Sequence, residues 1–233
     1  MPGEYTLELL EERIGYQFRD INLLKQALTH SSYTNEQKIN KKKNYERLEF
    51  LGDAVLELVS SEFLFREHRD VPEGELTKMR AAMVCEPSLA FCARDIELGQ
   101  FILLGKGEEG TGGRGRDSII SDVMEAVTGA IYLDGGMEPA RAFINRFILS
   151  DLEDKQLFYD SKSNLQELIQ GKLKKDFHYE LLEESGPEHN KTFRVSVYME
   201  EECLGEGEGR TKKAAEQQAA YKALLLLRDR KCI

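Results

Sequence analysis

The chain has 233 residues, of which 41% are hydrophobic and 32% charged, and its net charge is −10. That length suits one large domain or two small ones, and that composition excludes a disordered chain. No run approaches the ~18 consecutive apolar residues of a membrane span, and the acidic start "MPGEYTLELLEERIGYQF" is unlike a signal peptide, so a cytoplasmic protein is expected.

Up to about residue 150 the sequence reads as helix after helix. The runs "TLELLEERIGYQF", "NLLKQALTHSSY", "NYERLEFLGDAVLELVSSEFLFREH", "EGELTKMRAAMVCEPSLAFCARDI" and "DSIISDVMEAVTGAIYLDGG" carry apolar residues at three- and four-residue spacing. "MEPARAFINRFILSDLED" closes the series, and "DVPEG" and "LGKGEEGTGGRGRD" mark stops. Nothing here alternates with period two, so this part is expected to be all-α. The pattern weakens around 153–160 and then changes. A helix over "NLQELIQGKLKK" precedes three strands, "YELLEESG", "KTFRVSVYME" and "ECLGEGEGR", and a last helix covers "TKKAAEQQAAYKALLLLRD". In the middle strand Phe193, Val195, Val197 and Met199 are expected on one face, with Arg194, Ser196 and Tyr198 on the other. The order α-β-β-β-α predicts a small α+β domain, with two helices on one face of its sheet. The expected division is 1–152, a linker at 153–160, and 161–230.

Cys85, Cys92, Cys203 and Cys232 form no CxxC pair and read as reduced thiols. The four histidines are scattered, which argues against zinc; any metal here should be a hard cation held by oxygen. The acidity is uneven. Residues 1–155 hold 19 Lys and Arg against 28 Asp and Glu, whereas 156–233 hold 13 against 14. Basic clusters in the second part could therefore still form a patch.

The stretch "NYERLEFLGDAVLEL" sets acids among residues that otherwise read as buried. Glu46, Glu49 and Asp53 lie at i, i+3 and i+7, on one helix face. Asp122 and Glu125 repeat the i, i+3 spacing in a second apolar helix, and Glu73 stands in a turn just before a third. Clustered carboxylates repel and raise one another's pKa unless a cation neutralises them. Six acids on three elements suit Mg²⁺ or Mn²⁺. The blander alternative is a solvated face, or salt bridges to Arg47, Lys78 or Arg80, and spacing alone does not decide between them.

These blocks resemble the bacterial ribonuclease III family. "NYERLEFLGDAVLEL" is similar to its signature, and "ALTHSSYTNE", "EGELTKMRAAMV" and "SIISDVMEAVTGAIYLDGG" resemble its other blocks, in order. "SKSNLQELIQGK", "GPEHNKTFRVSVYM" and "GEGEGRTKKAAEQQAAYKAL" resemble a double-stranded-RNA-binding domain, so the likeness covers nearly the whole chain. The resemblance implies that Glu49, Asp53, Asp122 and Glu125 bind metal, with Asp53 and Glu125 catalytic, and that Glu46 and Glu73 are outer acids engaging RNA. It implies Mg²⁺, with Mn²⁺ substituting and no organic cofactor, and hydrolysis of duplex RNA to 5′-phosphate and 3′-hydroxyl ends with short 3′ overhangs. Precursor ribosomal RNA and structured messages are the implied substrates.

The resemblance further implies a homodimer through the signature helix, with Phe50 inserting into the partner; from the residues alone Phe50 reads as an ordinary core phenylalanine. Ser163, Gln166, Glu167, His189, Lys212 and Lys213 match RNA-contacting positions, read through phosphates and 2′-hydroxyls across about 16 bp. The usual serine of the last-helix motif is Thr211 here. Ser121 and Thr128 depart from the family pattern as packing or supporting changes, and Glu57 is read as solvated or structural. Arg114 and Arg116 either contact phosphate or keep their loop soluble. Two readings compete with a nuclease: a non-catalytic dsRNA-binding regulator, which the intact acid set disfavours, and a nucleotide pyrophosphohydrolase, which leaves the second domain without a task.

Overall fold

Helix boundaries in the first unit follow from caps and from tertiary pairing. The computed structural model describes residues 6–38, 43–150, 161–186, 191–209 and 211–230. It divides into two compact units, 1–152 and 153–233. Helix α1 (Leu7–Ile14) starts where Thr6 Oγ1 accepts the Leu9 amide and ends at Gly15, whose φ of 71° is left-handed.

The run 22–33, one pattern in the sequence, is two helices. α2 (Ile21–Ala27) and α3 (Ser31–Glu36) are parted where the chain around Thr29 forms a parallel bridge with Leu103. The Leu103 amide donates to Leu28 O at 2.7 Å, and the His30 amide donates to Leu103 O at 3.0 Å. A long-range pairing thus takes the groups a continuous helix would have used.

The run 73–96 also splits, into α5 (Glu73–Val84) and α6 (Glu86–Asp95), at Cys85. Pro87 lies in the first turn of α6, where its missing amide costs nothing; inside a continuous helix it would break the ladder. α7 (Lys106–Gly110) and a 3₁₀ turn at Gly113–Gly115 occupy the glycine-rich segment. The remaining helices are α4 (Glu46–Glu67), α8 (Asp117–Gly135) and α9 (Met137–Phe147). α8 is apolar nearly all round and lies buried at the centre, with α4, α6, α2 and α9 packed around it. Cys85, Cys92 and Cys203 are free thiols.

The second unit has its own core. α10 (Ser161–Gln166) runs on as a π-helical turn, Glu167–Leu173, and Ser161 Oγ donates to Gln217 O at 2.9 Å. β1 (Phe177–Ser185), β2 (Thr192–Met199) and β3 (Glu202–Gly209) form an antiparallel sheet in that order. α11 (Lys212–Asp229) is capped by Thr211 Oγ1, which accepts the Ala214 amide at 3.1 Å. Gly205, Gly207 and Gly209 let the α11 backbone lie against β3: a Cβ at Gly207 would stand 2.1 Å from Ala215 O. Val195, Val197 and Met199 are buried as the alternation predicts, but Ser196 is fully buried too. It pairs with Glu180 on one side and Glu206 on the other, so a small side chain sits between two long ones. The linker expected at 153–160 lies outside the described residues.

Candidate active site

Two helices bring the acids together. α4 begins where the Glu46 amide donates to Asn44 Oδ1, and its first turn carries Glu46 and Glu49 with Asp53 one turn on. α8 carries Asp122 and Glu125. The helices cross at a pair of glycines. A Cβ at Gly52 would stand 1.8 Å from the Glu125 carbonyl oxygen, and one at Gly129 2.3 Å from that of Leu48. Only bare backbone fits at that approach, which holds the two acid faces against each other.

The electrostatics record the proximity. Burial, then the charges of Asp122, Glu46 and Asp53, push the Glu49 carboxyl up to about 7. Burial, then Asp53, Glu49, Asp122 and Glu57, push Glu125 up to about 8. Asp53 is raised by burial and Glu57, with Arg80 opposing. Asp122 is raised by burial, while a hydrogen bond from Tyr45 and the charge of His30 pull it back. None of these four acids joins an ion pair among the described residues. On the same two helices, Asp117 pairs with Arg94 and Glu62 with Arg141. Among those residues no three His, Cys, Asp or Glu side chains converge as a ready-made metal cage, and like-charge repulsion opposes closer approach.

Glu46, Glu49, Asp53, Asp122 and Glu125 therefore share one field. Glu73 does not act on the others: it is exposed at the start of α5, where it accepts from Thr77 Oγ1 at 2.9 Å. Glu57, read as solvated or structural, is exposed, and its charge acts on Asp53 and Glu125. Its position one turn beyond Asp53 was the available signal. Ser121 and Thr128 bond back to their own helix, to Ser118 O and Met124 O, each at 3.0 Å. Arg114 is engaged within the protein, donating to the carbonyls of Gly99, Gln100 and Ile102 at the preceding 3₁₀ turn and pairing with Glu109 in its own loop. Arg116 pairs with Glu108.

Phe50 is not a core residue. It is 80% exposed, and Leu58, Phe65 and Leu133 are also exposed in this unit. A cavity of about 560 Å³ beside Phe50 is lined by Leu23, Leu48, Leu51 and Leu133 among others. In the second unit Ser163, Gln166, Glu167, Lys212 and Lys213 are all exposed, the lysines in the first turn of α11, where the helix dipole favours an anion. His189 lies outside the described residues.

The Ribonuclease-III-like family model matches residues 20–152, and the double-stranded RNA binding motif matches 161–227. A protein named Ribonuclease 3 from Caldanaerobacter subterraneus is 51% identical over 221 residues, covering 94% of this chain and 96% of its own. The chain belongs to the ribonuclease III family. Ribonuclease 3 of Oceanobacillus iheyensis is 49% identical, covering 92% of this chain and 95% of its own. The solved nuclease domain of ribonuclease III from Campylobacter jejuni, described for flexibility in a region involved in dimer formation, is 48% identical with a TM-score of 0.58. It covers 61% of this chain and 96% of its own. The protein is thus an enzyme of the ribonuclease III type, a helical nuclease unit followed by a double-stranded-RNA-binding domain.

Proposed function

We propose that the protein hydrolyses phosphodiesters of double-stranded RNA using divalent cations, Mg²⁺ with Mn²⁺ substituting, held by Glu49, Asp53, Asp122 and Glu125. The observation that carries this reading is the close crossing of α4 and α8, whose acids are partly buried and within reach of one another's charge, two of them raised to about 7 and 8. An all-oxygen donor set fits a hard cation, whose charge would relieve the repulsion. When bound, such ions activate water and stabilise the leaving 3′ oxygen. Glu125, which holds its proton near neutral pH, must release it to serve as a ligand. Asp53 and Glu125 then orient the attacking water, with Glu46 and Glu73 as outer acids toward the cut strand. The products carry a 5′ phosphate and a 3′ hydroxyl.

The division of labour is 1–152 for catalysis and dimerisation, 153–160 as linker and 161–230 for RNA. One acid set cuts one strand, so cleaving both needs a two-fold homodimer. Exposed Phe50 beside an apolar cavity supports it: in an isologous pair each Phe50 enters the cavity of the other copy. Two staggered cuts leave short 3′ overhangs. Ser163, Gln166, Glu167, His189, Lys212 and Lys213 hold the duplex by its 2′-hydroxyls and phosphates. Precursor ribosomal RNA and structured messages in the cytoplasm are the substrates. The test is a long RNA duplex incubated with Mg²⁺ and either the native protein or Glu125→Gln. Native protein should shorten the duplex while the variant binds without cutting; cutting by the variant contradicts the role of Glu125.

A further inference from the structure

Tyr45 was not singled out in the sequence, yet it is the residue that ties the start of α4 to an acid of α8. It is 4% exposed. Its backbone is fixed on both sides: its amide donates to Thr29 O at 2.9 Å, and its carbonyl accepts the Leu48 and Glu49 amides at 2.8 and 2.9 Å. Its ring lies against His30, with centroids 5.6 Å apart, and His30 is itself fixed through Ser32 and Leu103. From that seat the phenol reaches across to Asp122 and donates to Oδ2 at 3.2 Å. An ionised carboxylate can only accept, so the phenol is the donor.

Each neighbouring acid lacks such a brace. Among the described residues no side-chain donor bonds to the carboxylate of Glu49, Asp53 or Glu125. Asp122 alone has one oxygen held from outside the acid cluster. A half-buried aspartate on a short side chain has few ways to point, and a fixed donor on one oxygen selects among them.

We infer that Tyr45 is a positioning residue, whose hydroxyl fixes the Asp122 carboxylate so that its other oxygen faces the shared acid site. This rests on reading Asp122 as a cation ligand. Its consequence is specific: the hydroxyl governs how readily the site takes up a divalent cation, and leaves RNA binding alone.

Tyr45→Phe removes only the hydroxyl and keeps the ring against His30. Three measurements decide. In EDTA, thermal unfolding of native protein, Tyr45→Phe, Asp122→Ala and the double variant forms a cycle. The hydroxyl should matter when Asp122 is present and have no effect in the Asp122→Ala background; equal effects in both overturn the bond. In cleavage at saturating duplex, the Mg²⁺ concentration giving half the maximal rate should rise about tenfold, the low end of what losing the partner of a metal-ligating side chain costs. Duplex affinity in EDTA should stay within about twofold. A variant with the native Mg²⁺ dependence overturns the inference, as does one whose only change is a lower melting temperature. If Asp122→Ala itself cleaves normally, the underlying reading of the acids fails instead.

Discussion

The two units solve different problems with the same device. In the nuclease unit Gly52 and Gly129 let two helix backbones approach until a Cβ would stand 1.8 Å from a carbonyl oxygen, and that approach forces acids together. In the RNA-binding unit Gly207 lets α11 meet β3 about as closely, yet Ser163, Gln166, Glu167, Lys212 and Lys213, the side chains proposed to contact RNA, are exposed. Bare backbone contact therefore gathers partly buried acids in one case and supports an exposed surface in the other. In the first, burial and mutual charge act together on Glu49 and Glu125. In the second, the side chains proposed to contact RNA stand apart, so each should add a little.

The sharpest way to break this contrast is Gly52→Ala. By helix propensity alone the change gains roughly 0.5–1 kcal/mol. Overpacking against backbone costs about 1–3 kcal/mol or more, and here the helices must part. Cleavage should fall at least about 100-fold, because an error near 1 Å in a site is worth that much. Melting temperature should fall as well. Gly74→Ala, at a helical position with nothing within 4 Å, is the matched control and should leave both nearly unchanged.

A second test reads the burial and mutual repulsion of these acids together. Glu49 and Glu125 have folded values of about 7 and 8 against an ordinary 4.5. Between about 4.5 and 8 the folded state therefore holds protons that the unfolded state has released, so stability falls as pH rises through that window. Melting of the metal-free protein in EDTA should drop from pH 5 to pH 8, and Glu125→Gln should drop less. Equal slopes for the two proteins would remove Glu125 from the coupled set.

The mildest change belongs to the platform. Lys212→Ala with Lys213→Ala should weaken duplex binding and lower the log–log salt slope by about 2, since each phosphate contact contributes about 0.9. Melting should be nearly unaffected, because both side chains are exposed. An unchanged slope takes these lysines out of the interface.

Much of this was readable in the chain. The apolar spacing of α4 and α8 gave both helices, and the acids at i, i+3 and i+7 on α4 and at i, i+3 on α8 gave one charged face on each. What periodicity missed has two sources. The split at Thr29 was set by a distant partner, Leu103, whereas the split at Cys85 follows from Pro87 close by, a breaker that apolar spacing alone passes over. Ser196 alternates outward in the sequence but is fully buried, on the middle strand between β1 and β3. Tyr45 reaches Asp122 across 77 positions, a contact no local pattern encodes. Phe50 shows the opposite failure, since an apolar residue in an apolar helix reads as core until its exposure is seen.

The central claim is that α4 and α8 converge to hold divalent cations. Anomalous scattering from a crystal soaked in Mn²⁺ tests it most directly. A peak among the carboxylates of Glu49, Asp53, Asp122 and Glu125 is the predicted result; a crystal binding Mn²⁺ elsewhere, with no peak among those four side chains, would contradict it.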